Sequence, residues 1–324
     1  MSAPAQLKPS SSASSGPALR RVAWRALGTE CVLMFATDDP RQAEAFQRAA
    51  VQWVTDFEQR YSRFRPDSLV SRINAAAGVA PVEVDAEMDR MLDLCELVFR
   101  TSEGLIDPSA LPLMRAWDYK AAQPRIPTQA EIDAARRLVG WRKVARRPGS
   151  VFLPEPGMAL DFGGWGKEYA VDCVAELAAG HGLDHVLVDF GHDLRGVGAP
   201  PGRPAWHIGI EDPDRPGSHR ESVALRNAAM ASSGDYLRGF TLGGRRFGHI
   251  IDVRTGRPVM NGCAQSTVIA PSCLHAGILS TASFIAGTEL GVRMIESHFG
   301  TEGMLVGSGT RFRTRGFFKH VVQN

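Results

Sequence analysis

Apolar residues recur at three- and four-residue steps from Phe46 through Ala49, Ala50, Trp53, Val54 and Phe57 to Tyr61. That is the spacing of one buried face of a helix. Asp39-Pro40 just ahead supplies an N-cap and a proline at the first helical position. A second periodic run, Met88, Met91, Leu92, Cys95, Val98 and Phe99, follows Asp85 as its cap and ends at Gly104. Upstream, VAWRALGTECVLMFAT predicts strands about a turn at Gly28. Pro66 disfavours continuation of the first helix. It leaves Arg63, Arg65, Ser68, Arg72 and Asn74 as a polar cluster, read either as a solvated loop or as the rim of a ligand cleft. In GLIDPSALPLMRAWDY, Asp107-Pro108 and Pro112 predict an ordered loop that buries Leu111, Leu113 and Trp117. Trp117 and Tyr119 are core residues by default and candidates to stack on a planar ligand.

Thr128-Gln129-Ala130-Glu131 is a capping box for a short helix. WRKVARRPGSVFLPEPGMALDF then reads as paired strands joined by Pro-Gly turns. The stretch Met158 to Arg195 predicts strand, glycine-rich turn, a helix from Lys167 to Ala179, the buried strand HVLVDFG and a second polar turn. AWHIGIEDP is a further strand, and Asp252 and Gly256 bound a tight turn. Leu274 to Ile285 begins a helix expected to continue through GTELGVRMIESHFG. TEGMLVGSGTRFRTRGFF reads as two strands closing a sheet.

At 324 residues, 44% hydrophobic and 22% charged, the chain is an ordinary folded protein. A net charge of +2 without a basic block argues against nucleic acid and against a polybasic membrane contact. The five cysteines, Cys31, Cys95, Cys173, Cys263 and Cys273, form no CxxC, which speaks against a disulfide framework or a zinc knuckle. Residues 1–20 are Ser/Ala/Pro-rich without the apolar run of a secretory signal, so they read as a disordered leader. No stretch of about 18 uncharged apolar residues predicts an integral membrane span. The expectation is a cytoplasmic protein whose residues 21–324 form one two-lobed domain.

The candidate chemistry gathers at the two turns of the Met158–Arg195 stretch. They bring backbone N–H groups together with Asp161, Lys167, Asp172, Asp189, His192 and Asp193 at element ends. Such an arrangement suits a phosphorylated ligand. The stretch fits neither GxGxxG nor GxxxxGK[ST].

Seven ordered motifs carry a resemblance: YSRFRPDSLVSRIN, EGLIDPSALPLMRAW, ALDFGGWGKEYAVD, VLVDFGHDL, ASSGDY, GHIIDVRTGRPV and LSTASFIAG. From Gly28 to Phe317 the chain resembles the FAD:protein FMN transferases, also called the thiamine-biosynthesis lipoprotein or flavin-trafficking family. The resemblance implies a mixed α+β fold: two closely packed lobes of largely antiparallel sheet with flanking helices and a central ligand cleft. It implies Mg²⁺-dependent transfer of FMN from FAD to a Thr or Ser hydroxyl of a flavoprotein acceptor, with release of AMP. Some relatives instead hydrolyse FAD to FMN and AMP. Lys167, His249 and Asp252 are then the catalytic candidates. Asp107, Trp117, Tyr119, Gly163, Gly164, Lys167, Asp193, Ser233, Gly234, Asp235 and His249 are the candidates for holding FAD. Gly163, through its carbonyl, and Thr281 are the candidates for holding the metal.

The chain departs from the family pattern at several of these positions. Where Ala-Asp-Ala-Leu-Ser-Thr is usual, it reads Ala276-Gly277-Ile278-Leu279-Ser280-Thr281, so Gly277 replaces the metal-binding aspartate. Glu168 replaces the glycine after the lysine, Asp189 an asparagine and His192 a glycine. The lipoprotein leader of the family is not seen. Two readings follow. In one, the metal site is rebuilt, with Glu168, Asp189 and Asp193 as candidate carboxylate ligands. In the other, metal-dependent transfer is lost and the chain is a diverged flavin- or nucleotide-binding interaction protein.

Overall fold

The computed structural model describes residues 16–322; the expected leader falls mostly outside this range. Order begins earlier than the composition suggests, because the first strand already includes Leu19 and Arg20. In chain order the strands are β1 (Leu19–Ala26), β2 (Thr29–Ala36), β3 (Val82–Glu83), β4 (Ala145–Arg147), β5 (Ser150–Phe152), β6 (Val186–Phe190), β7 (Asp193–Val197), β8 (Trp206–Glu211), β9 (His219–Leu225), β10 (Ala228–Gly234), β11 (Gly239–Leu242), β12 (Arg245–Gly248), β13 (Ile251–Asp252), β14 (Arg257–Pro258), β15 (Cys263–Ala270), β16 (Glu302–Gly307) and β17 (Thr310–Arg313). The helices are α1 (Pro40–Tyr61), α2 (Leu69–Ala75), α3 (Ala86–Thr101), α4 (Leu111–Trp117), α5 (Gln129–Arg137), α6 (Gly166–Gly180), α7 (Cys273–Ala286) and α8 (Thr288–Glu296).

Eight strands form one sheet in the order β1-β2-β6-β7-β10-β15-β16-β17, every neighbouring pair antiparallel. Successive side chains of a strand point to opposite faces, and the core divides accordingly. Val186, Val188 and Phe190 join α1 and α6 on one face. Val268, Ala270 and Leu305 join α7 in the largest cluster on that side. Leu187, Leu194, Met230, Ile269, Met304 and Val306 face the other way, onto Trp206, Ile210, Val223 and Leu225 of the β8–β9 hairpin and onto Phe317. Both faces are therefore covered, which is why HVLVDFG reads as a continuous apolar run. Helices α2 to α5 and the three-stranded sheet β3-β5-β4 form a smaller group of elements, of which α2 and α3 share the α7 cluster. The predicted mixed fold with largely antiparallel sheet is the fold observed.

Several elements match the periodicity. Asp39 accepts from Arg41 N and caps α1, Asp85 caps α3, and Thr128 and Glu131 close both arms of the capping box at α5. Three expectations need correction. The polar segment after α1 is a loop only as far as Ser68, which caps α2 and so places Arg72 and Asn74 on a helix. The proline-rich segment contains α4, because Pro112 lies in the first helical turn, where a missing N–H costs nothing. The long C-terminal helix is two helices, α7 and α8, separated at Gly287 (φ 89°). No helix among the described residues is long and apolar enough to cross a membrane.

Candidate active site

Helix α6 begins at Gly166 with no side-chain cap, so the positive end of its dipole faces the glycine-rich turn. That turn is stitched in place from three sides. Asp161 N donates to Pro108 O at 2.9 Å, Asn74 exchanges two hydrogen bonds with the Leu160 backbone (2.7 and 3.0 Å), and Arg63 pairs with the Asp161 carboxylate at 3.1 Å. The polar cluster around Arg63 thus supports the turn. Gly163 N donates to Asp161 Oδ1, and both Gly163 and Gly164 are exposed at the mouth.

The first turn of α6 carries Lys167, whose ammonium forms an ion pair with Asp193 at the start of β7. The pair is largely buried, with side-chain exposures of 18% and 6%. Asp193 Oδ1 also accepts from Ser232 N of β10 at 3.1 Å. Next along β10, Ser233 Oγ lies 2.9 Å from both Ser280 Oγ and Thr281 Oγ1 of α7. Helix α7 is itself fixed to α6, because Asp172 accepts from Cys273 N (2.9 Å) and Leu274 N (2.8 Å) and bonds Arg195 at 3.0 Å. The head of α6, β7, β10 and α7 therefore form one closed circuit.

Glu168 completes it. The residue is 8% exposed, and its Oε2 is buried without a hydrogen-bond partner. Burial raises its pKa, while the charges of Lys167 and Arg238 oppose that shift. Its side chain fills the space that a side chain on Gly277 would need: a Cβ there would lie 2.5 Å from Glu168 Cγ and 3.0 Å from Cδ. One side chain from position 168 thus occupies the room that two helices would otherwise share.

The rings of His249 and Tyr119 lie 5.8 Å apart. Desolvation, followed by the charge of Arg238, lowers the His249 pKa to about 4, so the imidazole is neutral at pH 7. Its Nδ1 is buried and unpartnered. The positive charge of Arg238 acts on both His249 and Glu168. Asp235 sits beside Gly248, where a Cβ would lie 2.5 Å from the Asp235 Cβ. Burial raises the Asp235 carboxyl, and its backbone carbonyl accepts from Arg246.

The remaining candidates serve mainly to build the scaffold. Trp117 is 4% exposed, donates from Nε1 to Gly256 O and stacks on Phe247, so it packs as core. Asp107 spends its carboxylate on Ser109 and on Trp141 N, fixing the loop that supports the turn. Asp252 is engaged by the backbone and guanidinium of Arg254. Asp189 accepts from His192 N within the β6–β7 turn, where Gly191 and His192 both adopt positive φ. Asp193 is taken by Lys167 and Ser232 N, whereas Glu168 keeps a buried oxygen without a partner. The Glu168–Gly277 fit and the role of Arg238 were missed by sequence reasoning. The only signal for the former was that both positions depart from the family pattern.

The model of the ApbE family matches residues 27–305. The protein named FAD:protein FMN transferase from Salmonella typhimurium is 30% identical over 310 residues, 93% of this chain and 88% of that protein. Its namesake from Treponema pallidum is 28% identical over 304 residues, 89% and 84% of the two chains. The solved ApbE protein of Thermotoga maritima superposes with a TM-score of 0.86 at 26% identity, covering 94% of this chain and all of that one (100%). The flavin transferase ApbE from Vibrio cholerae, at 24% identity and a TM-score of 0.82 over 94% of this chain and 100% of that one, shares the fold.

Proposed function

The chain belongs to the ApbE family, and on that premise we propose that it is an FAD:protein FMN transferase acting on a Thr or Ser hydroxyl of a flavoprotein acceptor. The observation that carries the reading is the buried Lys167–Asp193 pair at the uncapped head of α6, facing the Ser233–Thr281 hydroxyls. Asp193 holds the ammonium beside the helix terminus, where backbone N–H groups and a fixed positive charge meet a pyrophosphate. Ser233, Gly234 and Asp235 line the far side, and Tyr119 supplies an aromatic surface.

In the transfer, the acceptor oxygen forms a bond to the FMN phosphorus and the P–O–P bridge breaks. AMP leaves with the bridging oxygen. The hydroxyl proton passes to His249, which burial keeps neutral and able to accept it. Asp252 orders the adjoining turn through Arg254. A divalent cation fits the oxygen-only donors here, given the orphaned buried Glu168 Oε2, and Thr281 Oγ1 and the Gly163 carbonyl would help to hold it. When bound, Mg²⁺ would neutralise charge developing on the departing phosphate.

The test incubates the protein with FAD, Mg²⁺ and a candidate flavoprotein, and measures the acceptor's intact mass and free AMP. Covalent FMN in step with AMP is expected. AMP without an adduct would mean hydrolysis, and neither product despite FAD binding would overturn the enzyme reading. His249→Gln should lower the transfer rate about 10²–10⁴-fold while FAD binding persists.

A further inference from the structure

We propose that Glu168 is a divalent-cation ligand, seated in a notch that exists because position 277 is glycine, so that α6 supplies the carboxylate α7 lacks. The inference deepens the transferase reading and rests on it. Three observations meet at this point. The Glu168 carboxylate is buried, 8% exposed, with Oε2 unpartnered. The neighbouring ammonium, Lys167, is committed to Asp193. The Glu168 side chain also lies where the side chain of position 277 would project.

Position 277 and Thr281 are four residues apart on α7, so they share a face one turn apart. A carboxylate resting over Gly277 and the Thr281 hydroxyl therefore border the same space. A buried carboxylate left without a partner destabilises the fold. A cation offsets that cost, and the surrounding donors are the oxygens that hard cations select. Among the described residues, no group of three or more His, Cys, Asp or Glu is arranged to hold a metal. The oxygen donors suit Mg²⁺ or Mn²⁺, which are commonly held by one or two carboxylates together with substrate phosphate and water. A zinc-type cage is not present there.

The same geometry makes the two carboxylate positions mutually exclusive. With Glu168 in place, an aspartate at 277 meets Glu168 Cγ and Cδ, so adding it alone should not strengthen metal binding.

The experiment measures Mn²⁺ binding to the full chain in the presence of FAD, by the electron paramagnetic resonance of free Mn²⁺, alongside melting temperatures with and without Mn²⁺. Wild type should bind and gain a Mn²⁺-dependent rise. E168Q should melt at or above wild type without metal, yet bind about tenfold or more weakly and gain no rise. E168G and G277D should each bind poorly, whereas E168G/G277D should return to within a few-fold of wild type. Mn²⁺ binding unchanged in E168Q would overturn the proposal, as would a folded double variant no better than E168G. Failure of the transferase reading would look different: Glu168-dependent Mn²⁺ binding in a protein that neither cleaves FAD nor labels an acceptor.

Discussion

At the scale of single residues, the head of α6 carries a buried charge pair, Lys167 with Asp193. Lys167→Met leaves Asp193 buried and unpaired, which should cost about 3–5 kcal/mol. Urea unfolding should show the loss, and Lys167→Met/Asp193→Asn should recover much of it without recovering FMN transfer. His249 makes a prediction with a definite sign. Its folded pKa of about 4 lies below the ordinary 6.5, so between those values the unfolded chain binds a proton that the folded chain refuses. Stability should therefore fall as pH drops through this window and level off below about 4. In His249→Gln the fall in unfolding free energy from pH 7 to pH 4.5 should be smaller than in wild type; an equal fall would place the titration elsewhere. Lys167 and Asp193 were legible in the sequence because each stands at a glycine-marked turn beside a periodic element. Glu168 and Gly277 were visible only as separate departures. Their mutual fit depends on how α6 packs on α7, which no local pattern encodes.

At the scale of elements, the position of α7 decides where Thr281 and Gly277 lie, and Asp172 fixes that position through two backbone N–H groups and Arg195. Asp172→Ala leaves those donors unsatisfied and should destabilise the fold by roughly 3 kcal/mol, read by denaturant midpoint. The displaced helix should weaken Mn²⁺ binding as well, although Asp172 touches neither cation nor FAD. The long helices α1 and α3 were readable from period and caps, and α6 from its period between two glycine-marked ends. Helices α2 and α4 were not, since short helices barely register in periodicity and Pro112 looks like a breaker until its place in the first turn is known. The break between α7 and α8 turns on the positive φ of Gly287, one conformation that a glycine in a helical pattern leaves open.

At the scale of the whole molecule, strand alternation sends one set of side chains to the helices and the other to the β8–β9 hairpin, holding β7 and β10 rigid between them. The ends of those two strands carry Asp193 and Ser233, so the circuit that joins them to Lys167 and Thr281 is assembled on covered, packed elements. Strand order could not be read from the sequence, because pairings such as β2 with β6 and β10 with β7 join segments far apart along the chain. Ligand linkage follows from that assembly: FAD with Mg²⁺ at about 100 times its Kd should stabilise the protein by roughly 2.7 kcal/mol. Lys167→Met should lose most of that gain. If α6 supplies the metal carboxylate of a flavin-transfer site, the anomalous diffraction of a crystal soaked with FAD and Mn²⁺ should show a Mn²⁺ peak between the pyrophosphate, Glu168 and Thr281, within coordination distance of a Glu168 oxygen. Ordered FAD with no peak there, or a peak with Glu168 turned away from it, would contradict that assignment.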